Sequence, residues 1–176
     1  MSKLKGLICI VTGGAGSLGQ ATVKKLLQSG CKVAMFDLPQ SKGQNIADQL
    51  GDGVVFQPTD VTNEQEVIKG LEIVKNKFGK LNVLVNCVGV GTNIKIWSHT
   101  SKLPHDKLEF QKIINTNLIG TFNVIRLACE MFSINKPGQS VIINTSSISA
   151  IDGMVGQVAY AASNAAINSM TLPLSR

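Results

Sequence analysis

The sequence predicts an α/β fold, a doubly wound parallel sheet with helices on both faces in three layers. Two observations predict it. Apolar runs of strand length alternate with segments of helical period along the chain. A glycine-rich turn, Gly13-Gly14-Ala15-Gly16-Ser17-Leu18-Gly19, joins the first strand-like run to the first helix-like segment. Right-handed crossovers then place the strands in the order 3-2-1-4-5. At 176 residues the chain is one domain spanning 1–176, long enough to bury a core.

The elements follow in order. Leu7–Val11 is a first strand, and Gln20–Gln28 is a helix with Ala21, Val23, Leu26 and Leu27 on one face. Cys31–Asp37 is a second strand, and a short helix spans about Ser41–Leu50. Val54–Gln57 is a third strand, followed by Pro58-Thr59-Asp60-Val61. Asn63 is placed to cap a helix running to Phe78, with Glu66 completing a capping-box-like start. Leu81–Asn86 is a fourth strand, leaving through Cys87-Val88-Gly89. From Gly89 to Asp106 the period is lost, which predicts a long loop carrying His99 and His105 as surface residues. A long helix follows, with Phe110, Ile113, Ile114, Leu118, Phe122, Ile125, Ala128 and Phe132 as its apolar stripe. Asn117 lies on that stripe, where a polar side chain needs a partner. Val141–Thr145 is a fifth strand ending in Ser146-Ser147. A last helix starts near Val155, carries Tyr160, and should kink or stop at Pro173.

Composition narrows the function classes. Net charge is +6, but the lysines are scattered over helix faces with no basic block, which argues against nucleic-acid binding. No apolar segment approaches membrane-span length. Cys9, Cys31, Cys87 and Cys129 lie inside apolar runs without CxxC spacing, so they read as buried reduced thiols. His99 and His105 have no acid or thiol at ligand spacing, so no metal site is expected.

The glycine turn carries the first functional signal. Glycines let a backbone approach a pyrophosphate, and a helix start offers free N–H groups and a positive dipole end. Asp37 ends the second strand eighteen residues after Gly19, where a ribose-binding carboxylate belongs. Leu38 and Pro39 supply no arginine for a 2′-phosphate, so NAD is expected over NADP.

Taken together, Thr12-Gly13 with Gly19, Asp37, Asp60-Val61, Asn86-Cys87-Val88-Gly89, Asn117, Ser147 and Tyr160 resemble the short-chain dehydrogenase/reductase family. Ser147 precedes Tyr160 by thirteen residues, the family's spacing. The resemblance covers the whole chain and implies a Rossmann-type fold. It also implies hydride transfer between NAD and a secondary alcohol or ketone on an acyl-CoA or steroid substrate. In that reading Tyr160 exchanges the proton, Ser147 orients the substrate oxygen, and Asn117 holds a water in the proton relay. Gly13, Gly16, Ser17, Leu18, Gly19, Asp37, Asp60, Val61, Cys87 and Gly89 would line the cofactor, together with Tyr160 and Asn164. A homo-oligomer, a tetramer in the family, and a mitochondrial or else cytoplasmic location are implied as well.

The sequence departs from the pattern at three places. Ser17 stands where the family's turn has its middle glycine. Asn164 stands one helical turn after Tyr160, where the family has a lysine that lowers the tyrosine pKa. Family members also continue through two more strands and a substrate-covering segment, so the fifth strand is expected to be an open sheet edge prone to self-association. These departures set a second reading beside the enzyme: a catalytically impaired nucleotide-binding or scaffold subunit.

Overall fold

The computed structural model describes residues 4–176. Five parallel strands form one sheet: β1 (Ile8–Thr12), β2 (Lys32–Asp37), β3 (Val54–Pro58), β4 (Val83–Asn86) and, after an intervening hairpin, β7 (Val141–Asn144). Their order is β3-β2-β1-β4-β7, the 3-2-1-4-5 arrangement expected. Register aligns the strand exits, with Thr12 opposite both Phe36 and Asn86, and Asn86 opposite Asn144.

Period two along the strands splits the core. Ile8 and Ile10 face one side, where α3 (Glu64–Phe78) and α5 (Gly120–Ser133) supply Val67, Leu71, Val74, Val124, Ile125 and Ala128. Cys9 and Val11 face the other, against Val23 of α1 (Ser17–Gln28) and Ala47 of α2 (Gly43–Leu50). A strand buried on both faces reads as a continuous apolar run, and that is how β1 and β2 read.

Several boundaries and details differ from the sequence reading. The Gly89–Asp106 stretch contains a small antiparallel hairpin, β5 (Trp97–Ser98) with β6 (Leu103–Pro104). Two-residue strands are too short to show a period. His99 is exposed, whereas His105 is half-buried, stacked edge-on to Phe110 with Nδ1 against the Asp106 carbonyl at 2.7 Å. The Asn63 cap forms, its Oδ1 accepting from Gln65 and Glu66 N–H at 3.1 and 3.3 Å. Glu66 does not return to the Asn63 N–H; its Oε2 accepts instead from Asp60 N–H at 2.7 Å.

The long helix is interrupted. α4 (Lys107–Ile114) passes into a π-turn over Asn115–Ile119 before α5. Phe122, expected on the buried stripe, is exposed, and Thr121, Val124 and Met131 are buried instead. α6 runs Val158–Leu174, starting three residues later than expected and continuing one residue past Pro173. A proline in the last turn removes only one helix bond, so the helix ends without a break before it. Among the described residues no helix is long and apolar enough to cross a membrane.

The β7 edge is open. Val141 and Ile143 are each 50% exposed, half of a two-sided apolar pattern left uncovered. The four thiols are free, but they are not equally buried. Cys9 and Cys31 are buried, Cys87 is half-buried, and Cys129 points outward from α5. Cys129 lies in an apolar run whose helical phase turns it to solvent. A thiol reagent should therefore modify Cys129 rapidly in the folded protein and all four cysteines after denaturation. Four equally fast thiols in the native state would contradict this packing.

Candidate active site

The site is built where the strands end. β1 delivers Thr12 into the glycine turn, and Gly13 takes φ +63°, a left-handed conformation that favours glycine. A Cβ at Gly13 would also lie 2.9 Å from the Cys87 backbone. The turn thus sits directly against the exit of β4. Gly19 in the first turn of α1 packs so tightly that a Cβ there would meet the Gly13 carbonyl at 2.0 Å. Ser17 needs no such freedom: it is an exposed, helical first residue without positive φ. The departure from the family's glycine therefore introduces no backbone strain. α1 begins with no side-chain cap and no acid in its first turn, which keeps its positive end open to an anion.

Asp37 is tied into this turn. Its Oδ2 accepts from Ala15 N–H and its Oδ1 from Leu38 N–H, both at 2.8 Å. A carboxylate has about four acceptor positions, so Asp37 holds the turn in place and still has lone pairs for a ligand hydroxyl. Beside it, Asp60 Oδ1 accepts from both the backbone and hydroxyl of Thr62, at 2.9 and 2.7 Å.

These elements enclose a cleft of about 370 Å³. Of the residues singled out in the sequence, it is lined by Gly13, Gly16, Asp37, Asp60, Val61, Cys87 and Gly89. Leu38, Thr59 and Val88, which flank those residues in their motifs, line it too, and so do Thr62, Val90, Lys112 and Thr116, which carried no motif. Lys112 and Thr116 sit one helical turn apart, which was the available signal. Ser17, Leu18 and Gly19 are not part of this lining; they form the first turn of α1 beside it. Burial raises the Cys87 thiol pKa, partly offset by the Thr145 and Thr22 hydroxyls. Cys87 is accordingly a wall of the cleft and a poor nucleophile.

Tyr160, Asn164, Ser147 and Asn117 are not part of this lining; Tyr160 and Asn164 lie on α6 (Val158–Leu174), which is tied to the cleft wall through Asn117. Tyr160 is half-buried with its ring against Gly91, where a Cβ would be 3.3 Å from Cδ2. Its carbonyl accepts from Ser163 Oγ at 2.8 Å and from Asn164 Nδ2 at 2.9 Å. Its own hydroxyl makes no hydrogen bond among the described residues. Asn164 is 5% exposed and turned back onto its own helix. Ser147 opens the short turn Ile148–Ala150, its Oγ accepting from Ser149 N–H at 3.2 Å and its proton left to donate.

Asn117 in the π-turn joins the two halves. Its Oδ1 accepts from Val90 N–H at 2.8 Å, and its Nδ2 donates to the Val90 carbonyl at 2.9 Å and to Ser163 Oγ at 3.0 Å. The buried polar residue on an apolar face thus has its partners, and they fix the cleft wall at Val90 to the tyrosine helix. π-Turns often mark functional positions. A second polar chain, Thr12 Oγ1 to Asn86 Oδ1 and Asn86 Nδ2 to Asn144 Oδ1, crosses the strand exits at 3.3 and 2.9 Å.

Comparison with known proteins follows the same lines. The family model described as short chain dehydrogenase matches residues 7–176. The 3-hydroxyacyl-CoA dehydrogenase type-2 of Drosophila melanogaster is 46% identical, over 98% of this chain and 69% of that protein. The Homo sapiens protein of the same name is 44% identical, over 98% and 68%. The crystal structure of 3-hydroxyacyl-CoA dehydrogenase type-2 from Mycobacterium avium superposes with a TM-score of 0.90 at 35% identity, covering 98% of this chain and 70% of that one. A 3-ketoacyl-(acyl-carrier-protein) reductase from Brucella melitensis, complexed with NADH, gives a TM-score of 0.85 at 26% identity, again over 98% and 70%. With its parallel sheet, its glycine turn and these relatives, the chain belongs to the short-chain dehydrogenase family and is an oxidoreductase by descent.

Proposed function

We propose that the chain binds NAD(H) and interconverts a secondary alcohol and a ketone on a 3-hydroxyacyl-CoA or hydroxysteroid substrate. The observation that carries the cofactor assignment is Asp37, held at the cleft by Ala15 and Leu38 N–H with acceptor positions to spare. The residues present fit a dinucleotide. The open N-terminus of α1 would take the pyrophosphate, Asp37 a ribose, and the Asp60–Val61 wall the adenine. When bound, the nicotinamide supplies the hydride chemistry.

The chain's own residues supply positioning and proton transfer. Ser147 donates its free hydroxyl proton to the substrate oxygen. Tyr160, whose hydroxyl has no competing partner, exchanges the proton with that oxygen. Asn117 has its amide committed to Val90 and Ser163, so it holds the geometry first and meets any relay water with the one remaining lone pair of Oδ1. A shallower cleft beside α6, about 430 Å³, is lined by Ile94, Ile96, Met154, Val155 and Val158, an apolar wall suited to an acyl chain or steroid body.

Binding of the two cofactors tests the assignment. The carboxylate of Asp37 repels a 2′-phosphate, and the residues that follow it, Leu38 and Pro39, offer no compensating cation. NADH should bind at least about tenfold more tightly than NADPH, the scale of one unfavourable charge contact of ~1.4 kcal/mol. Equal or tighter NADPH binding would overturn it.

A second reading has its own support. Asn164 occupies the family's lysine position, and its amide is spent on the Tyr160 carbonyl. The chain is then a nucleotide-binding subunit with weak turnover, and the half-exposed Val141 and Ile143 of β7 favour association with further copies. Tight NADH binding without measurable turnover distinguishes this reading from the first.

A further inference from the structure

The Asp60–Thr62 segment lines the cleft as irregular backbone, so something outside it must fix its position. Local bonds hold part of it: Asp60 N–H donates to Glu66, Thr62 N–H and Oγ1 donate to the Asp60 carboxylate, and Asn63 N–H donates to the Asp60 carbonyl, while just before it Thr59 N–H donates to the Asp37 carbonyl of β2. A further bond comes from the helix across the cleft wall. Asn123 of α5, 6% exposed, donates Nδ2 to the Val61 carbonyl at 2.9 Å, sixty-two residues away in sequence. The orientation of its amide is set by its other side, where Oδ1 accepts from Arg126 Nη2 at 2.8 Å. Arg126 in turn pairs with Glu64 in the first turn of α3. A buried asparagine with both ends committed, one of them to a cleft-wall carbonyl, is a clamp.

We infer that Asn123 is a positioning residue for the cofactor, holding the Val61 backbone so that the cleft is preformed at its adenine end. This rests on the reading that the Asp60–Val61 wall receives the adenine. Removing the donor leaves the buried Val61 carbonyl unpaired, and an unpaired buried acceptor is costly. The segment would then relax toward water, away from the ligand-ready position.

The test is calorimetric titration of the chain and of Asn123→Ala with NADH and with ADP, which carries only the adenine half. The expected result is weakening of about fivefold or more, the loss of one net hydrogen bond, and by the same factor for both ligands. A merely structural role would lower the melting temperature and leave both affinities unchanged, which overturns the inference. So would weakening of NADH with ADP unaffected. If Asn123→Ala does not fold, Asn123→Asp serves, keeping the volume and the contact with Arg126 while removing the donor. If the parent chain binds neither ligand, the cofactor reading falls and this inference with it. If the parent binds both and the variants match it, this inference alone falls.

Discussion

Asn164→Lys should raise dehydrogenase turnover at neutral pH by about tenfold or more. A free phenol ionises near pH ~10, leaving about one part in a thousand as phenolate at neutral pH. A cation within a few ångströms typically lowers a pKa by about 1–3 units, a tenfold to thousandfold gain in the ionised fraction. Position 164 is one helical turn after Tyr160 on the same helix, and its present amide is folded onto the Tyr160 carbonyl. It carries no charge and cannot perform the electrostatic part. The variant is best assayed with NAD and a 3-hydroxyacyl-CoA in a chimaera that continues past Arg176 with the corresponding segment of the Drosophila relative. There the pH–rate profile for oxidation should also move to lower pH, because that direction follows the phenolate. An unchanged rate and an unmoved profile would show that another group tunes Tyr160.

Gly19→Ala should abolish measurable NADH binding, a weakening of about a hundredfold or more, and destabilise the fold by about 3 kcal/mol. The added Cβ would lie 2.0 Å from the Gly13 carbonyl oxygen and 2.8 Å from Gly14 Cα. These are backbone atoms and cannot swing aside, so α1 must withdraw and the turn must open. Overpacking of this kind typically costs about 1–3 kcal/mol, and more where nothing can yield. Ser17→Gly, two residues earlier, should change NADH affinity by less than about threefold, because Ser17 is exposed and already helical. A titration of both variants decides the matter. Near-parental binding by Gly19→Ala would contradict the packing described for the turn.

The parts of this molecule that were legible in the sequence are those with a period or a local rule. Alternation of runs located five strands and the crossover rule ordered them, as the β3-β2-β1-β4-β7 sheet shows. Asn63 is legible because capping is local. Asp37 is legible because the end of β2 lies beside the glycine turn in any such sheet. What was not legible depends on contacts distant in sequence or on helix phase. Cys129 and Phe122 sit in apolar runs yet face outward, since a run does not state which side of a helix is covered. The π-turn over Asn115–Ile119 leaves no compositional mark. Asn123 reads as an ordinary helix-surface amide, and only its bond to Val61 reveals it. Lys112 and Thr116 reach the cleft because α4 and the π-turn pass over it, a matter of tertiary placement.

Tyr160 is the only tyrosine in the chain, so its ionisation can be followed directly by ultraviolet difference absorbance, without substrate, cofactor or turnover. Asn164 puts a neutral amide one helical turn from this tyrosine, where Asn164→Lys would put a cation. Parent chain and Asn164→Lys are titrated side by side over the pH range in which circular dichroism shows both folded. The lysine variant should reach half of its tyrosinate absorbance about 1–3 pH units lower than the parent. Coincident titration curves would contradict it.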